Sequence, residues 1–148
     1  MNRQIKFRGL RHLENGKTEW VYGFYVECWN NKRCIAQYTP NERTDEKDCY
    51  EDHWDIFVDV YEDSIGQFTG LKDKNGAEIY EGDIFTVKGK YPRVILWDKV
   101  SWAAMPCDHY HDKKWWVMNL QHPGNDWWED FSDEIEVIGN IYDNPIEE

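Results

Sequence analysis

The sequence predicts a mainly β protein, an antiparallel meander or small barrel-like domain with little helix. Three observations carry that reading. Polarity alternates with a period of two over short runs such as 4–9 and 56–61. Asn15-Gly16, Asn30-Asn31 and Asn75-Gly76 punctuate those runs with pairs that suit tight turns. No long stretch keeps the 3.6-residue period of an amphipathic helix.

Each element follows in order. Ile5 and Phe7 alternate with Lys6 and Arg8, which starts a first strand. Trp20 to Val26 is rich in aromatic and β-branched side chains and makes a second. Arg33 to Tyr38 is a third, so three strands with short turns form a meander. Residues 40–51 are charged and poor in apolar side chains, as in an exposed loop or short helix. Ile56, Val58 and Val60 mark a fourth strand, and 64–69 a short extended piece. Lys72 to Gly76 is the clearest turn. Tyr80 to Asp83 is another and leads into a strand at Ile84 to Val87. Arg93 to Trp97 reads as a core strand. The pattern is unclear over 98–114, although Trp102, Ala103, Ala104 and Met105 are apolar enough to pack before Pro106. Trp115 to Met118 resumes a strand, 121–125 is a loop, and Trp127 to Phe131 suits one helical turn. Ile135, Val137 and Gly139 define a closing strand before an acidic tail at 143–148.

A length of 148 residues fits one domain, with room for two subdomains, an N-terminal meander at 1–63 and a barrel-like part at 64–148. Seventeen basic residues face 29 acidic ones, a formal charge of -12. That balance argues against binding a phosphate backbone with the whole surface. No apolar run is long enough for a membrane span, and the basic start lacks the apolar segment of a signal peptide. The expectation is a cytoplasmic protein without membrane contact. Cys28, Cys34, Cys49 and Cys107 are then expected as free thiols. Charge is segregated along the chain. Residues 1–35 carry seven basic and three acidic residues, whereas 36–63 carry two and ten, and 121–148 carry none and nine. Such a field can draw the basic part of one subunit onto the acidic part of another.

Four segments resemble the YopX-like family of phage and prophage proteins. They are Ile5-Lys6-Phe7-Arg8, the run from Gly66 to Gly76, the run from Ile79 to Ile84, and the run from Val137 to Pro145. The resemblance implies a mostly β domain encoded in phage, prophage and mobile elements, with oligomers among its members. It implies no catalytic residues, because the family has no agreed ones.

The motif glycines Gly66, Gly70, Gly76 and Gly82 match no phosphate-binding spacing and suit hairpin geometry. Asp83, Asn140 and Asn144 suit caps that accept backbone N–H groups. As a catalytic acid, Asp83 lacks a local partner. The best metal-like cluster is Cys107, His109 and His111, which share one face if the segment is extended, with Asp108 and Asp112 on the other. Thiolate and imidazole suit zinc, with His53 or His122 as a fourth ligand. A Cys107 nucleophile with His109 as base is the corresponding enzyme reading, and no hydrolase signature accompanies it. His53 stands among Glu51, Asp52 and Asp55, as in an exposed acidic loop. Trp115-Trp116 and Trp127-Trp128 offer rings for a core, an interface or base stacking. Stacking needs a positive channel, which Arg3, Lys6, Arg8, Arg11 and Arg33 would supply. The acidic runs 45–63 and 126–148 also suit mimicry of nucleic acid toward a basic host protein.

The sequence therefore reads as a non-catalytic module without cofactors that forms a homo-oligomer or binds a host or phage protein. Single-stranded nucleic acid binding by the basic N-terminal sheet is the alternative. A metal-dependent or thiol enzyme is the second alternative.

Overall fold

The computed structural model describes residues 4–28, 30–37, 57–98, 101–111, 118–119 and 132–146. The expected loop or short helix at 40–51, the loop at 121–125 and the helical turn at Trp127 to Phe131 lie outside them, as do His53, His122, Arg3, Cys49 and the two Trp pairs. The chain forms two compact units, Met1–Gln67 and Phe68–Glu148. Their secondary structure is antiparallel β, and the described residues contain only short 3-10 turns as helix. No described helix is long and apolar enough to cross a membrane.

In the first unit, β1 (Phe7–His12) pairs with β2 (Thr18–Glu27), which pairs with β3 (Arg33–Ala36), which pairs with β4 (Phe57–Asp59). This is the expected meander. The other edge of β1 takes Gly66 and Gln67, with Arg8 opposite Gly66 and Phe7 opposite Gln67. Alternation decides the faces. Val21, Ile35 and Val58 point inward with Val60, Phe7 and Ile65 around them. A 3-10 turn at Glu62–Ser64 precedes Gly66, so Ser64, expected in an extended run, is helical. Its buried hydroxyl accepts from the Leu10 N–H at 2.8 Å, which ties the turn to β1.

In the second unit, β5 (Gly66–Lys72) continues past the boundary and pairs with β6 (Glu78–Tyr80). A five-stranded sheet follows, built from β7 (Asp83–Val87), β8 (Lys90–Asp98), β9 (Ser101–Pro106), β10 (Met118–Asn119) and β11 (Ile135–Asn140). Its strand order is β10-β9-β8-β7-β11. Phe85, Ile95, Trp102, Ala104 and Ile135 share one face and pack with Ile79 of β6 and Leu71 of β5. The opposite face buries Ile84, Val94, Ala103 and Met105. Burial on both faces explains why 102–105 shows no alternation. The segment that the sequence leaves unclear is therefore a central strand.

The three Asn-containing turns share one geometry. Leu13, Cys28 and Asp73 each donate their N–H to the carbonyl four residues on, at 2.8, 2.8 and 2.9 Å. The fourth residue of each turn, Gly16, Asn31 or Gly76, has φ of 78°, 61° or 79°. Glycine and asparagine are the residues that adopt this left-handed conformation most readily. The hairpin between β7 and β8 is tighter. Val87 stands opposite Lys90, and Lys88 and Gly89 both have positive φ, as a two-residue turn requires. Tyr91, also at positive φ, and Pro92 then occupy a bulge, where a missing N–H costs no ladder bond.

Candidate functional site

Four motif segments and one Cys-His cluster are the sequence's candidates. The motif segments are joined to one another by hydrogen bonds. Asp73 is buried at the start of the Asn75-Gly76 turn. Its Oδ1 accepts from the N–H groups of Asn75 and Ala77, both at 2.9 Å. Its Oδ2 accepts from the N–H of Val137 on β11 at 3.0 Å. Beside it, the Lys74 N–H donates to Ile135 O at 2.9 Å, and Lys74 Nζ lies 3.3 Å from Glu136. One aspartate thus holds the β5–β6 turn to the closing strand. Sequence reading places Asp73 in this turn but misses its tie to β11, because that partner lies 64 residues away.

Asp83 behaves as the sequence predicts. Its buried Oδ2 accepts from the Tyr80 N–H at 2.8 Å, which caps the Tyr80–Asp83 turn. Asn140 does the same at the other end, where its Oδ1 accepts from the N–H groups of Tyr142 and Asp143. Asn144 contributes its backbone N–H, which donates to Asn140 O at 2.9 Å. The Ile141 N–H donates to Gly82 O at 2.9 Å, so the second and third motif turns meet. These polar groups bond to backbone, as structural caps do.

We expect Asp73→Ala to destabilise the protein by about 3 kcal/mol, because it strands three N–H groups that now donate to a carboxylate. Asp73→Asn keeps one acceptor oxygen and should lose about half as much. Thermal unfolding followed by circular dichroism tests both, and equal stability of Asp73→Ala and wild type would refute the role.

The Cys-His cluster takes a different shape from the one its spacing suggests. Residues Cys107–His109 form a 3-10 turn, closed by the Tyr110 N–H on Cys107 O at 3.2 Å. A 3-10 turn has three residues per turn, so positions two apart diverge. The extended backbone that a shared face of Cys107, His109 and His111 requires is therefore replaced by a turn over Cys107–His109. The His111 ring instead bonds through Nε2 to Ile146 O at 2.6 Å and stacks edge-on against Tyr110. A carbonyl only accepts, so Nε2 is the donor in this bond. Burial, and then the neighbouring Asp108 charge, push the Cys107 thiol above its ordinary pKa. That is opposite to what an activated nucleophile needs. Among the described residues, no group of three His, Cys, Asp or Glu side chains is placed to hold a metal ion.

Arg8, Arg11, Lys32 and Arg33 of the first unit are engaged by neighbours. Arg11 bonds Glu19 at 2.6 Å, Arg33 lies 3.7 Å from Glu62, and Lys32 lies 2.9 Å from Asp59. The Arg8 guanidinium is buried and stands 4.2 Å from the centre of the Trp20 ring. The face of β2, β3 and β4 that carries Ala36 also carries exposed aromatic side chains. Phe24 and Phe57 both stand opposite Ala36, and Tyr22 is two residues before Phe24. Tyr22, Phe24 and Phe57 are 43%, 57% and 54% exposed.

The YopX family, described as YopX protein, matches residues 6–147. The chain belongs to the YopX family. The match spans all described residues but Gln4 and Ile5, and so all but the first residue of the four motif segments. The YopX chain is also similar to protein EF1440 from Enterococcus faecalis, known from a crystal structure, with 22% identity, 97% of each chain covered and a TM-score of 0.49. Comparison with curated proteins gives no match.

Proposed function

We propose that this YopX protein is a non-catalytic protein-binding module that associates with a second copy of itself. The observation that carries the reading is the aromatic face formed by Tyr22, Phe24 and Phe57. Large apolar side chains side by side on an open sheet face favour burial against another protein. Charge supports a second copy as the occupant. Residues 1–35 are net basic, while 36–63 are net acidic, so two copies can bring unlike charge together. The pairing of Arg11, Arg33 and Lys32 with carboxylates argues against nucleic acid as the ligand, since phosphates would have to displace those partners. The free thiols of Cys28, Cys34 and Cys107 fit a cytoplasmic setting.

Size-exclusion chromatography with light scattering tests the proposal. Wild type should give at least a dimer. Phe24→Glu should shift it to monomer while changing Tm by no more than a few degrees, because the site is exposed. Raised salt should weaken the assembly. A monomer at all protein concentrations, or a Phe24→Glu variant as associated as wild type, would overturn the reading.

A further inference from the structure

We propose that Cys28 and Cys34 form an oxidation site, in which a small-molecule disulfide converts the two thiols into a reversible cross-link between β2 and β3. The proposal is independent of the assembly reading. Cys34 lies on β3 opposite Val26, and Cys28 lies just past the end of β2. The Cys28 N–H donates to Lys32 O at 2.8 Å, so the two cysteines are diagonal neighbours across the hairpin. Diagonal neighbours are ordinarily too far apart for short side chains to meet. Here the Sγ atoms stand 2.8 Å apart. Closing that gap to a bond of about 2.05 Å needs a side-chain adjustment of under about 1 Å. The hairpin ladder on both sides holds the pair in place.

The two thiols differ in access. Cys28 is half-buried, whereas Cys34 is buried, with its Sγ 3.7 Å from Val26 O. Burial, the hydrogen bond with Cys28 and the nearby Asp59 charge push the Cys34 thiol up to about 11, against the opposing effect of Lys32. This asymmetry sets the order of steps. The Cys28 thiolate attacks one sulfur of oxidised glutathione and forms a mixed disulfide. The departing glutathione thiolate takes up the proton that Cys28 lost. The Cys34 thiolate then attacks the Cys28 sulfur, and the second glutathione leaves as a thiol with the proton from Cys34. Two protein thiols have then lost two electrons and two protons, and one glutathione disulfide has become two thiols. The second step depends on the Cys34 thiolate. Its rate should rise with pH between about pH 7 and pH 9, as the Cys34 thiolate forms.

The test treats the reduced full chain with oxidised glutathione and then digests it with trypsin under non-reducing conditions. Cleavage after Lys17, Lys32, Arg33 and Arg43 separates the two cysteines into peptides 18–32 and 34–43. The expected product is those two peptides joined, in a protein about 2 Da lighter than the reduced chain. Cys34→Ser should stop at a glutathione adduct on Cys28. Should the loss of buried Cys34 unfold the chain, Cys28→Ser serves instead, and its Cys34 should stay unmodified. A glutathione adduct that persists on Cys28 of wild type across this pH range would overturn the proposal. So would a bond from either cysteine to Cys49 or Cys107.

Discussion

Gly23→Ala is expected to destabilise the first unit by about 3 kcal/mol or more, a penalty at the upper end of overpacking. A Cβ on Gly23 would fall 2.1 Å from the Ala36 carbonyl oxygen and 2.9 Å from its carbon. The obstacle is backbone of the paired strand, where Phe24 and Ala36 stand opposite. A flexible side chain could rotate away, but this carbonyl is held in the sheet. Relief therefore requires β2 and β3 to separate. Tm should fall by about 6 °C or more for a domain of this size. Amide hydrogen exchange should accelerate along Thr18–Glu27 and Arg33–Ala36. The same separation would pull Cys28 from Cys34 and disorder the Phe24–Phe57 face, so oxidation and self-association should both weaken. A Tm within about 2 °C of wild type would mean that the close approach is not a constraint.

What the sequence makes legible follows from the range of the interactions involved. Turns depend on adjacent residues, so Asn15-Gly16, Asn30-Asn31 and Asn75-Gly76 are readable directly. Strands such as β2, rich in aromatic and β-branched side chains, are readable too. The β9 strand is hidden, because Trp102 to Met105 is buried on both faces and carries no period. Asp73 is legible as a turn residue but not as a tie to Val137, since no local pattern specifies a partner on a distant strand. The Cys107 to His111 spacing misleads for a related reason. Shared faces two residues apart require extended backbone, and Pro106 leads instead into a 3-10 turn. The Cys28–Cys34 pair has no sequence motif, because its proximity comes from hairpin register.

Trp102→Ala should cost about 3–5 kcal/mol, the range for deleting a large aromatic side chain from a core. The ring is 1% exposed and packs with Ile79, Phe85, Ile95 and Ile135. It also meets Trp97 edge-on, with centroids 4.9 Å apart. Trp102→Phe should behave differently. It keeps most of the ring volume and removes the indole N–H, whose nitrogen is buried without a hydrogen-bond partner among the described residues. An unpartnered buried donor carries a desolvation penalty of about 1–3 kcal/mol, which offsets the lost volume. Trp102→Phe should therefore lie within about 1.5 kcal/mol of wild type in urea unfolding. Equal losses for the two variants would show that the indole nitrogen has a partner after all. The pair also separates two uses of the aromatic residues. Trp102 belongs to the core of the second unit, whereas Tyr22, Phe24 and Phe57 lie on an outward face of the first. Trp102→Phe should leave the light-scattering mass unchanged, while Phe24→Glu lowers it with little change in Tm. Stability and assembly would then be traced to different aromatic side chains, which the high aromatic content of the sequence cannot distinguish.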